Sequence, residues 1–291
     1  MEFKARDRRL EGDSTLRQCQ LVQLYLLDVF AEICEEHGLL YFLESGTLIG
    51  ALRHNGFIPW DDDLDVGMPV GDYKKFLKIA GKVLPKGVLL QTPSLYRGSA
   101  MPFAKLVDRS SFYCESYTSV ALPCGIFIDI FPYVQFPRLP LPVTTKIVKW
   151  CRDSWASERE YRTFLNGSIT SVFLSGIKAV LWRMSYLLGK LVFNLLVVVS
   201  GRTLRFPPEV GGGVYPGFEY EDIFPLKKHV FEGRMYNVPN KADKFLTMKY
   251  GDWRKMPPEE ERRPHHSIIC PTTPPRAAWS MPYKPPMDGI G

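Results

Sequence analysis

The sequence predicts an α/β (α+β) domain, a mixed sheet flanked by helices and interrupted by a mainly helical insertion. Three observations carry this prediction. Residues 15–83 alternate helical and strand-like patterns twice, short apolar runs continue as far as Phe131, and from Pro137 long helical stretches take over. The organisation expected is a core over residues 1–136, an apolar helical insertion over 137–216, a return to the core over 217–266 and a proline-rich tail over 267–291.

Taken in order, residues 15–37 read as a helix. Thr15 and Gln18 have capping-box spacing, Leu24, Leu27, Ala31 and Cys34 share one face, and Gly38 supplies the stop. Residues 39–43 are a short apolar run suited to a buried strand. Ser45-Gly46-Thr47 reads as a turn, followed by a short helix over 48–53. A second strand is expected over 61–68 and a helix from Asp72 to about Val83, ending before Pro85. Further strands are expected near 87–91, 102–107 and 126–131. After the insertion come a hairpin around Phe231-Glu232-Gly233 and a helix over 242–250 closed by Gly251. The chain beyond Arg263 is expected to be irregular.

Composition narrows the function classes. The chain has 291 residues, 45 % of them hydrophobic and 23 % charged, which suits a folded protein with a sizeable core. Its first residues are charged and no apolar stretch follows them, so a secretory signal is not expected. The six cysteines form no C-x-x-C pair and no zinc-ligand spacing, and a reducing, cytoplasmic setting is the simplest expectation. A formal net charge of +6 suits nucleic acid, an anionic membrane surface or a phosphorylated substrate, but no nucleic-acid-binding module is recognisable. Residues 171–200 are rich in Leu, Val, Phe and Trp, with Lys178, Arg183 and Lys190 interrupting them. These charges make a clean membrane span a poor fit. An element resting on a membrane surface, the inner face in a cytoplasmic protein, and an ordinary buried helix pair both fit the pattern.

The chemistry is concentrated in four aspartates within five residues, Asp61, Asp62, Asp63 and Asp65. In an extended segment Asp61, Asp63 and Asp65 would project from one face, with Leu64, Val66 and Met68 on the apolar side. Three carboxylates that close repel one another, and a divalent cation removes the cost. Oxygen ligands with no adjacent histidine or cysteine favour Mg²⁺ or Mn²⁺ over zinc. Asp129 is the one charge in the apolar run 125–132, where it could be a further metal ligand or a general base. Upstream, Ser45, Gly46 and Thr47 lead into a helix whose N–H groups suit phosphate. Arg53, His54 and Lys105 are further candidates for neutralising phosphate.

The block from Ser45 to Asp65, SGTLIGALRHNGFIPWDDDLD, closely resembles the signature of the LicD family, bacterial phosphocholine transferases with distant fukutin-like relatives in eukaryotes. The resemblance continues through Phe103-Ala104-Lys105-Leu106-Val107-Asp108 and residues 125–132. It returns at Phe231-Glu232-Gly233, Val238-Pro239, Tyr250-Gly251-Asp252-Trp253, Pro257-Pro258 and Arg263. It implies a nucleotidyltransferase-like fold and a CDP-activated alcohol as donor. In the family's bacterial members phosphocholine passes from CDP-choline to a sugar hydroxyl of a teichoic acid, lipopolysaccharide or other glycan, so the acceptor expected is a glycan or lipid-linked saccharide. Carried over, the resemblance makes Asp61, Asp63 and Asp65 the metal ligands and Asp129 a second carboxylate. CDP-ribitol or CDP-glycerol as donor, and a non-catalytic role in glycan assembly, are the competing readings. The 14 Tyr, 18 Phe and 6 Trp could supply an aromatic box for a quaternary ammonium, but its place is not legible.

Overall fold

The computed structural model describes residues 1–92, 103–114, 125–139, 169–200, 202–205, 217–264 and 268–274, with scattered helical residues between 143 and 157. Contacts divide the chain into two compact units, 1–132 with 223–291, and 133–222.

The first unit is mixed α/β. Its sheet has the order β1-β2-β6-β4-β3, from strands Phe42–Leu43, Asp65–Pro69, Phe127–Pro137, Ala104–Asp108 and Val88–Gln91. The pairs β1–β2, β3–β4 and β4–β6 are antiparallel. Helix α1, Thr15–Glu36, buries an apolar face that includes Leu26, Leu27, Phe30, Ala31, Ile33 and Cys34. Phe30 packs its ring against Tyr41 and against Phe76 of α3, Val70–Val83. Such burial is the main favourable term, about 1.5–3 kcal/mol for each large apolar side chain.

Several local expectations are corrected. Ser14, not Thr15, caps α1, its side chain accepting from the Arg17 N–H. Only Phe42–Leu43 of the run 39–43 is strand. Helix α2 spans Ser45–His54, so Ser45-Gly46-Thr47 is its first turn and not a separate turn before it. The chain past Arg263 is not wholly irregular, because β10, Ile268–Cys270, pairs antiparallel with β5, Phe112–Cys114. Arg9 secures this region, donating to Asp108 at 2.9 Å and to the Pro271 carbonyl at 2.6 Å.

The return segment forms the expected hairpin, β8 Lys227–Phe231 and β9 Arg234–Val238. Its turn residues Glu232 and Gly233 have φ of 49° and 81°, the positive pair a tight right-twisted hairpin needs. The Glu232 carboxylate accepts from Arg17 and from the Phe57 N–H, and its own N–H donates to the Asn55 carbonyl. The hairpin thereby holds the segment that follows α2. A further helix of the unit, Ala242–Tyr250, ends at Gly251 with φ 66°.

Within the second unit the end of β6 pairs antiparallel with β7, Arg202–Arg205. Helix α4, Ile169–Ser200, is 32 residues long. Of residues 137–168, expected to be mainly helical, the described members between 143 and 157 are helical and 158–168 lie outside the described residues. Gly211-Gly212-Gly213 and Pro216-Gly217, which read from the sequence as a flexible return to the core, lie outside them but for Gly217. A buried helix pair does not describe α4, because Phe173, Leu181, Met184 and Leu195 are all more than half exposed.

Gly50 marks where α2 meets the chain that follows it. A Cβ there would stand 2.5 Å from the Gly56 carbonyl oxygen and 3.1 Å from the Ile58 nitrogen. Gly50→Ala should destabilise the protein by about 1–3 kcal/mol in urea unfolding. Gly71→Ala, in α3 with open space around it, should be neutral or stabilising by up to about 1 kcal/mol.

Candidate functional site

The aspartate cluster is a clamped loop leading into a strand. Residues 61–64 lie before β2, which starts at Asp65, so the expected alternation of Asp61, Asp63 and Asp65 along one strand does not occur. The physical reason lies in the backbone carbonyls. Gln20 of α1 donates to the Asp61 carbonyl at 2.9 Å, and Gln23 donates to the Asp62 carbonyl at 2.6 Å, which also accepts from the Tyr113 hydroxyl at 3.2 Å. Carbonyls satisfied by buried side chains have no need of a ladder partner.

The carboxylates nevertheless converge. The Asp61 and Asp63 side chains are hydrogen-bonded to each other, and Asp65 lies within electrostatic reach of Asp63, Asp129 and Glu44. Both Asp61 and Asp65 are pushed well above the usual carboxylate range, first by burial and then by the neighbouring carboxylates. Asp62 is fully buried behind them. Asp129 sits on β6 beside β2, its N–H donating to the Leu64 carbonyl at 2.9 Å. Its carboxylate is 3.1 Å from the ammonium of Lys105, its register partner on β4, and that ammonium also lies 3.3 Å from the centre of the Phe127 ring.

The first turn of α2 faces the same cluster. A Cβ on Gly46 would stand 2.8 Å from Asp61 Oδ2 and 4.0 Å from Asp63 Oδ1, so only glycine leaves these carboxylates room against the helix. The positive end of the helix dipole then favours their negative charge. The Thr47 hydroxyl accepts from the Asp65 N–H at 2.8 Å and fixes the start of β2. The Ser45 hydroxyl donates to Glu44 and accepts from Lys249 at 3.0 Å. The side chains of Ser45 and Thr47 thus build the site's frame.

Arg53 and His54 end α2. The Arg53 guanidinium donates to His54 Nε2 at 3.0 Å and to the Trp253 carbonyl at 3.2 Å. The imidazole pKa is lowered by burial and by Arg53, which keeps His54 neutral and able to accept. Arg53 is itself lowered by burial and by the nearby Arg262, whose guanidinium lies 5.6 Å from the Trp60 ring centre. The two guanidiniums are thus near enough for the charge of one to be felt by the other.

Five members of this arrangement were not singled out from the sequence. Gln20 and Gln23 were signalled only as polar residues on a helix with a large buried surface. Arg262 lies next to Arg263, the arginine singled out in that stretch. Lys249 and Glu44 form an ion pair with side chains 3 % and 0 % exposed, across a long sequence separation that no local pattern reveals.

Among the described residues no three His, Cys, Asp or Glu side chains form a ready-made metal cage. The donor set still fits a hard cation. Crowded, buried carboxylates meet such an ion's preference, and Mg²⁺ is commonly held by one or two carboxylates with water and substrate phosphate completing the shell.

Two outcomes follow from the charge balance. Asp61 and Asp65 have raised folded-state pKa values, so their ionisation opposes folding, and the metal-free protein should lose stability as pH rises from the ordinary carboxylate range through those values. Asp65→Asn should therefore stabilise the metal-free protein at neutral pH by on the order of 1 kcal/mol, measured by urea unfolding. Lys249→Met leaves Glu44 buried without its cation and should cost about 3 kcal/mol or more, while Lys249→Met with Glu44→Gln should cost less.

Comparison with known proteins agrees with the motif. A family model described as LicD/FKTN/FKRP, nucleotidyltransferase domain, matches residues 38–165. The chain is 32 % identical over 269 residues to the lipopolysaccharide cholinephosphotransferase LicD of Haemophilus influenzae, covering 87 % of this chain and 96 % of that protein. It is also 48 % identical over 40 residues to the ribitol 5-phosphate transferase FKRP of mouse and of human, covering 14 % of this chain and 8 % of each of those proteins. With similarity running through almost the whole of the Haemophilus protein, the chain belongs to the LicD family.

Proposed function

We propose that this phosphotransferase moves phosphocholine from CDP-choline to a sugar hydroxyl of a cell-surface glycan or of its lipid-linked precursor, and that it requires magnesium. The observation carrying the reading is identity spread over 96 % of a lipopolysaccharide cholinephosphotransferase, in a chain that buries a crowded carboxylate cluster against a helix start.

Asp61, Asp63 and Asp65 would hold Mg²⁺, or Mn²⁺ in its place. When bound, the ion neutralises charge on the donor's diphosphate and on the carboxylates themselves. The chain's own residues do the rest. The α2 start at Ser45, Gly46 and Thr47 offers backbone N–H groups for phosphate oxygens. Lys105, Arg53 and Arg262 add positive charge, and His54 fixes the orientation of Arg53. Asp129 takes the proton from the acceptor hydroxyl as that oxygen attacks the phosphorus in line and CMP leaves.

A different donor has one observation in its favour, the 48 % identity with a ribitol 5-phosphate transferase, confined to 40 residues. CDP-glycerol is a further donor of the same kind. A non-catalytic assembly role fits poorly, because a scaffold gains nothing from carboxylates whose burial opposes folding. Purified protein offered CDP-choline, CDP-ribitol and CDP-glycerol with a glycan acceptor should release CMP fastest from CDP-choline. Faster release from CDP-ribitol would overturn the donor assignment, and nucleotide binding without release from any of them would favour the scaffold.

Asp63→Asn should abolish transfer and leave the fold intact by circular dichroism; normal turnover would defeat the metal site. For Asp129→Asn, a Mg²⁺ titration of turnover should show an unshifted midpoint and a rate about 10² to 10⁴ lower. Recovery of the rate at high Mg²⁺ would make Asp129 a ligand instead of the base.

A further inference from the structure

We infer that α4 lies along an anionic lipid surface, with its outer face seated at the boundary between headgroups and acyl chains. The inference rests on the second unit alone and is independent of the donor, the acceptor and the metal.

One side of α4 is taken up within its own unit. Ser185 accepts from the Trp150 indole at 3.0 Å and lies 3.0 Å from the Ser154 hydroxyl. A Cβ on Gly189 would stand 2.9 Å from the Cys151 sulfur, so glycine allows close approach there. The opposite side is apolar and uncovered. Phe173, Ile177, Met184, Leu188, Leu195 and Val199 are 43 to 83 % exposed. At 3.6 residues per turn they fall with their apolar neighbours in a sector about 140° wide, running along a helix about 48 Å long. An exposed apolar face of that length is far more than the scattered surface leucines of a typical protein.

Charge selects the occupant. Ile169–Ser200 contains no aspartate or glutamate, and its three cations are exposed. By the same helical geometry Lys178 lies along one border of the apolar sector, and Arg183 and Lys190 along the other. An apolar face edged on both sides by cations is the pattern of a helix lying in a membrane interface. Phe173–Ser200 is long and apolar enough to cross a membrane, with mean hydropathy 1.4 and only 11 % of its most apolar stretch buried. A crossing helix, however, would place Arg183 and Lys190 within the hydrocarbon, where each is costly.

The test is sedimentation of the full-length protein with vesicles of phosphatidylcholine alone or mixed with phosphatidylglycerol. Wild type should bind the anionic vesicles at least tenfold more tightly, and added salt should weaken the binding without abolishing it. K178E/R183E/K190E should weaken binding about a hundredfold or more, given the attraction each surface cation contributes. L188S/L195S should weaken it at least tenfold through lost apolar contact. Circular dichroism of both variants should match wild type. Absence of vesicle binding, equal binding to neutral vesicles, or binding untouched by both variants would overturn the inference. So would resistance to alkaline extraction, which would make α4 a membrane span. A dimer in solution abolished by L188S/L195S, with no vesicle binding, would assign the face to a second copy of the chain.

Discussion

Mutual repulsion among buried carboxylates is the constraint around which the first unit is arranged. Glu44, Asp61, Asp63, Asp65 and Asp129 arrive from a helix cap, a loop and two neighbouring strands, and the burial of Glu44, Asp61 and Asp65, with Asp63 and Asp129 half-buried, makes their shared charge more expensive than it would be in water. Each structural element nearby supplies part of the compensation. Helix α2 presents its positive end, Lys249 meets Glu44, and Lys105 meets Asp129. The α1 glutamines do different work, fixing the loop's backbone so that its charged side chains cannot relax apart. Asp61 and Asp65 still have raised pKa values despite these partners, so their ionisation opposes burial at one place.

Positive charge in the same region is held in reserve. Arg53 and Arg262 lie close enough for the charge of one to lower the pKa of the other, while each donates to a backbone carbonyl, Arg53 to Trp253 and Arg262 to Pro257. A nucleotide diphosphate would relieve that repulsion.

Most of the framework was legible because periodic patterns report it. The helix over 15–37, the strands near 87–91, 102–107 and 126–131, the hairpin at Phe231-Glu232-Gly233 and the helix over 242–250 appear essentially as expected. The aspartates were legible as a cluster, since four carboxylates in five residues need no partner to be noticed. Their geometry was not. Alternation of Leu64, Val66 and Met68 predicted a strand through Asp61, but the backbone before Asp65 is held by Gln20 and Gln23, whose role depends on tertiary contact. Lys249 was illegible for the same reason, because its partner lies on the far side of the second unit in sequence. The strand at Ile268–Cys270 was hidden by the prolines around it; its pairing partner, Phe112–Cys114, is also far away in sequence.

The Lys249–Glu44 pair also sets an order of assembly. During synthesis the ribosome delivers Glu44 and the clustered aspartates Asp61, Asp63, Asp65 and Asp129 early, then the entire 133–222 unit, and only afterwards the lysine that neutralises Glu44. Until that lysine arrives, the nascent chain leaves the carboxylate region open to water, because burial of the bare charge is too costly. The first unit therefore closes late, after the second has had time to form. An abandoned or truncated chain lacking Lys249 would be left with an exposed, unfinished core, easily distinguished from the complete protein by the cell's proteases.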